Sequence, residues 1–261
     1  MFALSFVATF FGVLFGTSYY SVKSTYYFKT LPNEYKSKVN VLITASDDDS
    51  TSMDHIVILS LKPEEEKIEI TPIQTDTLVK IIDTNHPLKN VYSIGGAEMF
   101  LEKITELTGE NITFYSFNKF STLKNVLQMY GEMDLGEQIN KKYSHMGKFL
   151  SAKDIFTIAK TIKVDGDTKG KEKFLTTVIK EFIKQKTDNK SIDNTPGLIR
   201  EFVQYSDTNF ISSDIETYIA ILKSLISKEI LVNTIDGTYE NIDGYTYFIP
   251  QDDAFKKIFK K

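Results

Sequence analysis

Residues Lys38–Ile73 read KVNVLITASDDDSTSMDHIVILSLKPEEEKIEITPI, and this stretch decides the fold. Lys38–Ser46 is a short apolar run that reads as a buried strand, and it ends in the three consecutive carboxylates of Asp47, Asp48 and Asp49. His55–Leu61 is a second strand, the segment LKPEEEK is a turn, and Lys67–Ile73 is a third strand with period-2 alternation. Two strands joined by so short a turn pair antiparallel. The triple glutamate, Glu64 to Glu66, is then a solvated hairpin tip, and Asp48 and Asp49 read as solvated loop.

Beyond this hairpin the spacing turns helical. In GGAEMFLEKITELTG, Phe100, Ile104 and Leu107 share one face and Gly109 is a natural C-terminal cap. Ile112–Phe117 is a short strand, and Phe120, Leu123, Val126, Leu127 and Tyr130 mark the next helix. Further helices are expected at 151–162, 171–186, 197–205 and 214–228, with closing strands at Glu229–Thr234 and Tyr245–Ile249. Strands alternating with helices predict an α/β protein, an α/β/α sandwich with a mixed central β-sheet. Neither an internal repeat nor a linker divides 38–261, which is read as one domain after a polar, Tyr-rich linker at 23–37.

The first 22 residues, MFALSFVATFFGVLFGTSYYSV, carry no charge before Lys23. They are long enough to cross a bilayer as a helix, with Tyr19 and Tyr20 where an interfacial aromatic belt lies, and read as a transmembrane anchor. A cleaved signal peptide is the rival; the small residues in FGTSYYS suit one, but the positive leading region is lacking. By charge alone, Lys23 and Lys29 after the segment would place the body in the cytoplasm.

Composition excludes several chemistries. The 261 residues hold no cysteine, which removes thiol catalysis, disulfides and thiolate metal sites together. His55, His86 and His145 are scattered, so a histidine metal cluster is not expected. A net charge of −4 without a basic block gives no support to nucleic-acid binding. The Gly95–Gly96 pair lacks the Lys-Ser/Thr of a phosphate loop, and neither a nucleophile elbow nor zincin spacing occurs. Of the 31 basic residues only Arg200 is an arginine.

The order of the remaining phrases resembles the LytR–CpsA–Psr domain, a family of membrane-anchored ligases that attach lipid-linked glycopolymers to the bacterial cell wall. VLITASD resembles its opening strand and Gly-Ser-Asp loop. SMDHIVILSLKPEEEKIEITPI resembles its Ser-Asp-Thr-Ile phrase, hairpin and third strand. LKNVYSIGGAEMFLEKITELTG resembles its Gly-Gly helix start, ITFYSFNKFSTLKNVLQMYGEMDL the following strand and helix, and GYTYFIPQDDAF its aromatic–Ile-Pro-Asp ending. LSAKDIFTIAKTIK and DGDTKGKEKFLTTVI stand where the family has its arginine-rich pair of segments. The resemblance runs from about Val39 to Ile258.

It implies phosphoryl transfer from a polyprenyl-pyrophosphate-linked glycopolymer to peptidoglycan, by a single-pass protein of the cytoplasmic membrane whose domain lies on the extracytoplasmic side. Such a substrate needs cations around its phosphates and an apolar slot for its lipid. By the resemblance Asp47 and Asp54 are catalytic and hold Mg²⁺, Asp76 and Thr77 match an Asp-Thr phrase, and Lys160, Lys169 and Lys171 join Thr77 as phosphate ligands, with Asp167 in support. The implied partners are a polyprenyl-linked phosphate lipid and other cell-envelope membrane proteins. Thr75 and Ile162 stand where the family has arginines, so the resemblance implies weakened or lost activity. Lysine supplies charge without the planar two-pronged donor. The alternative is a non-catalytic polyprenyl-lipid-binding module or an envelope scaffold.

Overall fold

The computed structural model describes residues 31–164, 168–186, 195–225 and 229–259. At its centre β1 (Val39–Ser46), β2 (His55–Lys62) and β3 (Lys67–Pro72) form the expected antiparallel meander, with Val57 paired to both Ile43 and Pro72. The exposed Glu64, Glu65 and Glu66 make the tip, where Glu66 takes a left-handed φ of 57°.

The helices and outer strands complete the sheet on either side. Two short local strands, β4 (Leu78–Ile81) and β5 (Thr84–Pro87), pair with each other and lead into α1 (Val91–Thr108). α1 bends at Gly95–Gly96, where Gly96 has φ 67°, and ends at Gly109 in the left-handed conformation, with its N–H donating to Thr105 O at 2.8 Å. β6 (Phe114–Lys119) then returns parallel to β1, as a crossover through a helix requires. The two-residue β7 (Asp207–Thr208) extends that edge antiparallel, and β8 (Glu229–Val232) adds to β3 in parallel. The order is β7-β6-β1-β2-β3-β8, a mixed six-stranded sheet. A separate hairpin of β9 (Gly237–Ile242) and β10 (Tyr245–Pro250) follows.

The pleat sorts side chains between two cores. Leu42, Ile56 and Ile58 meet Phe100 and Ile104 of α1 on one face, with the C-terminal helix, Ala254–Phe259, contributing Phe255 and Phe259. Val41, Val57 and Ile70 face the other way. Over that second face lie α2 (Phe120–Tyr130), α4 (Ala152–Val164), α5 (Thr168–Lys186), α6 (Thr195–Tyr205) and α7 (Ile215–Ser224), with the short α3 (Glu137–Lys142) outside them. Helices therefore cover both faces.

No helix among the described residues is long and apolar enough to cross a membrane; the expected anchor at 1–22 lies outside them.

Candidate functional site

Because β1, β3 and β6 run parallel to one another and β2 runs against them, the ends of the first three and the start of the last share one edge of the sheet. The acidic loop hangs there and is well braced. Asp54 N–H donates to Ala45 O at 2.8 Å, and Asp47 N–H donates to Asp54 Oδ2 at 3.3 Å. Lys119, the last residue of β6, donates its ammonium to Asp47 O at 3.2 Å and also to Ser50 O. Asp48 is exposed in the loop, as expected of it, and also makes one bond. Its Oδ1 accepts from Ser121 N–H at 3.1 Å, in the first turn of α2, where a carboxylate complements otherwise unsatisfied N–H groups.

Lys171 meets this loop from the opposite side. On α5 it begins a stripe continued by Leu175, Val178, Phe182 and Ile183, the spacing of one helical face. The stripe buries Lys171 itself, which is 5% exposed, and brings its Nζ to 4.0 Å from Asp54 Oδ1 and 4.9 Å from the centre of the Phe120 ring. His55, next to Asp54, is also buried. Desolvation pushes its imidazole down to about 4, and the nearby Lys171 ammonium acts in the same direction.

Behind these groups an apolar cavity of about 260 Å³ runs between the sheet and the helices. Val41 and Leu59 form its floor, Leu127, Leu175 and Phe202 its roof, and His55 and Phe120 line it at the end nearest Asp54.

The other expected site residues divide. Asp76 reaches the same edge but is held by the structure around it. Lys89 Nζ lies 2.7 Å from its Oδ1, Tyr245 Oη donates to that oxygen at 3.2 Å, and its carbonyl accepts from Phe248 N–H at 2.9 Å. Burial works against the Lys89 charge, yet bonds to Asp76 and Tyr245 outweigh it and raise the lysine above its ordinary value. Thr77 is fully buried, and its hydroxyl donates to Gln74 O at 2.6 Å, closing the turn. Gln74 in turn donates to Glu172 Oε1 at 3.4 Å, linking that turn to α5.

Lys160 is exposed on α4, and neither a hydrogen bond nor an ion pair joins it to Asp54 or Lys171 among the described residues. Ile162 packs into the core at 7% exposure. Asp167 and the side chain of Lys169 lie outside the described residues. The sequence reading missed His55, Lys119, Lys89 and the Gln74–Glu172 pair. The pleat of β2 was the available signal for His55, since it shares a face with Val57, Leu59 and Leu61. No group of three His, Cys, Asp or Glu side chains among the described residues can hold a metal ion unaided.

The loop at the sheet edge, the lysine facing it and the apolar slot behind them form one arrangement with the element order given above. The family model of the LytR_cpsA_psr family matches residues 17–261. The chain belongs to the LytR_cpsA_psr family. Among solved structures it is similar to TagV of Bacillus subtilis, at 17% identity and a TM-score of 0.67 over 86% of this chain and 95% of that one. It is similar to TagT bound to LIIa-WTA, at 16% identity and 0.68 over 86% and 89%. A third likeness is to a protein of Enterococcus faecalis described as a transcriptional regulator, at 19% identity and 0.69 over 87% of each chain. At these identities the structural likeness is one of fold. No curated protein matches the sequence.

Proposed function

We propose that this LytR_cpsA_psr protein binds a polyprenyl-linked phosphate lipid, tail in the cavity and phosphates at the Asp54–Lys171 edge, and transfers the attached glycopolymer phosphate to peptidoglycan at a reduced rate. The observation that carries this reading is the abutment of an apolar cavity of about 260 Å³ on a buried lysine paired with an acidic loop. A hydrocarbon chain gains by leaving water for such a wall, roughly 25 cal/mol per Å² of apolar surface buried. Lys171 then supplies positive charge where phosphate would emerge, at low dielectric, where charge interacts most strongly. TagT, of the same fold, has been seen bound to LIIa-WTA, which agrees with a substrate of this kind.

The donors present fit Mg²⁺. Asp47 and Asp54 are hard oxygen ligands on one short loop, and Mg²⁺ is commonly held by one or two carboxylates with substrate phosphates completing its shell. When bound, the ion supplies neutralisation of phosphate charge. The chain's own part is to hold the loop through Lys119 and to keep Asp54 oriented by Asp47 N–H.

The rate is reduced because guanidinium groups are lacking. Ile162 is buried among Ile155, Ile158 and Phe174, and Thr75 carries no charge. Loss of a transition-state arginine lowers phosphoryl transfer by roughly 10³–10⁵-fold. The same two residues favour the second reading, a lipid-binding module or envelope scaffold without turnover. In either case the protein works from a membrane anchor at 1–22, on the outer side of the cytoplasmic membrane beside other envelope proteins.

Mass spectrometry of lipids co-purifying with the full chain from native membranes tests the binding. A polyprenyl phosphate or pyrophosphate is expected, and its absence overturns the proposal. A glycopolymer-transfer assay then separates the two readings: turnover lost in Asp54→Ala supports the enzyme, and bound lipid without turnover supports the module.

A further inference from the structure

The acids and Lys171 occupy the mouth of the site, which leaves the inner wall of the cavity without a role beyond holding hydrocarbon. That wall is almost wholly apolar; besides the Thr44, Tyr130 and Tyr218 hydroxyls, its polar group is the imidazole of His55, the one lining side chain next to Asp54 in the sequence. His55 opens β2 opposite Ala45, and the pleat places it in line with Val57, Leu59 and Leu61. The residue is 5% exposed, and its buried Nε2 meets no hydrogen-bond partner among the described residues. Leaving a buried polar atom unpaired costs about 1–3 kcal/mol. An apolar side chain at this strand position would avoid the penalty, so packing alone does not account for a histidine. Burial also keeps the ring neutral, with one nitrogen a donor and the other an acceptor.

The polar groups are ordered along one axis. Hydrocarbon walls come first, then His55 on the lining, then Lys171 and Asp54 just beyond it. Lys171 stands one helical turn before Leu175, which is on the wall, and its ammonium rests on the ring of Phe120, which closes the same end. A ligand filling the cavity therefore passes His55 immediately before it reaches the lysine.

The geometry points to His55 as a specificity-determining residue. Its Nε2–H donates to the oxygen that joins a hydrocarbon chain to its phosphate, while Lys171 takes the phosphate charge. The inference rests on the lipid-phosphate reading above and deepens it by dividing recognition between two side chains. His55 reads the first oxygen after the hydrocarbon, whether ester or alcohol. Lys171 reads only the charge that follows.

The division is tested by equilibrium binding of farnesyl phosphate and of farnesol to the full chain in nanodiscs, with empty nanodiscs subtracted. His55→Leu is expected to weaken both probes about tenfold, the equivalent of one lost hydrogen bond. Lys171→Met is expected to weaken farnesyl phosphate and leave farnesol unchanged. His55→Gln keeps an N–H donor and is expected to recover most of the affinity for both. Binding of both probes by His55→Leu within about twofold of wild type overturns the inference. So does a loss confined to farnesyl phosphate, and in both cases the lipid-phosphate reading still stands. A wild-type chain that binds neither probe overturns that reading and the inference with it. Should His55→Leu fail to fold by circular dichroism, His55→Met provides the same apolar comparison.

Discussion

The ammonium of Lys171 lies 4.9 Å from the centre of the Phe120 ring while its Nζ stands 4.0 Å from Asp54 Oδ1. One cation is thus shared between an aromatic face and a carboxylate, almost out of water. The arrangement is poor as a stabilising device. Burying an ammonium carries a desolvation penalty, and replacing a buried ion pair by apolar packing of similar volume is often neutral or stabilising; Asp54 also keeps some contact with water. It makes better sense as a charge held ready for a ligand's phosphate.

Lys171→Met should therefore separate stability from binding. The free energy of urea unfolding is expected to change by no more than about 1 kcal/mol, because an apolar chain of similar length fills the stripe and Asp54 retains the Asp47 N–H. Affinity for a polyprenyl phosphate is expected to fall about tenfold or more, since bonds to charged groups contribute roughly 1.5–3 kcal/mol. Unfolding and lipid titrations on the same preparations check both halves. A variant that unfolds easily and binds normally would make Lys171 a structural residue.

His55 gives the fold a pH dependence of definite sign. Its native value is pushed down to about 4 from an ordinary 6.5, so between these values the unfolded chain binds more protons than the folded one. Stability is present in full above pH 6.5, falls as the pH drops toward about 4, and is flat below it for this group. At about 1.4 kcal/mol per pH unit the loss amounts to about 3 kcal/mol. In His55→Leu that part of the slope is expected to vanish. Unfolding free energies of both proteins in EDTA-containing buffers from pH 7.5 to 4.5 decide it, and parallel curves would refute the assignment.

Much of this was legible along the chain, and the exceptions have physical causes. The meander of β1 to β3 shows because its strands are apolar runs cut off by DDDS and PEEEK, and α1 shows through Phe100, Ile104 and the Gly109 cap. The segments TNHP of β5 and GTYENI of β9 carry too little apolar alternation to signal a strand, and both form by pairing with a close neighbour in sequence. The two-residue β7 and the polar α3, EQINKK, are invisible for the same reason. Of the candidate site, Asp54 and Lys171 were found through the family resemblance and do meet. An apolar slot was expected from the resemblance, but its lining was not legible, because Leu127, Leu175 and Phe202 have the pattern of ordinary core and only the packed helices leave space between them.

Asp76 ties the C-terminal hairpin to the site edge through both its carboxylate and its carbonyl. Tyr245→Phe removes one of the two donors on the Asp76 side chain while leaving Lys89 in place. It is expected to lower stability by about 1 kcal/mol. Amide hydrogen exchange should rise at Phe248, whose N–H is bonded to Asp76 O, before it rises in β1 or β2. Unchanged exchange at Phe248 would mean that the hairpin is held by its other contacts alone.

Filling the cavity is the most direct way to divide its two possible uses, as packing defect or as binding slot. Val178 is 5% exposed on α5 and lines the cavity midway along the Lys171 stripe. Val178→Phe adds apolar volume that a well-packed core would reject at about 1–3 kcal/mol. Here the added ring has space to enter, so the melting temperature of the lipid-free protein is expected to hold or rise. The same ring occupies the path of a lipid tail, and affinity for a polyprenyl phosphate is expected to fall at least about tenfold. Thermal unfolding with and without added lipid measures both effects, because a ligand that binds only the folded state raises the melting temperature with concentration. A destabilised variant that still responds to lipid would place the tail elsewhere. A stable variant that has lost the response assigns it to the space between the sheet and α5.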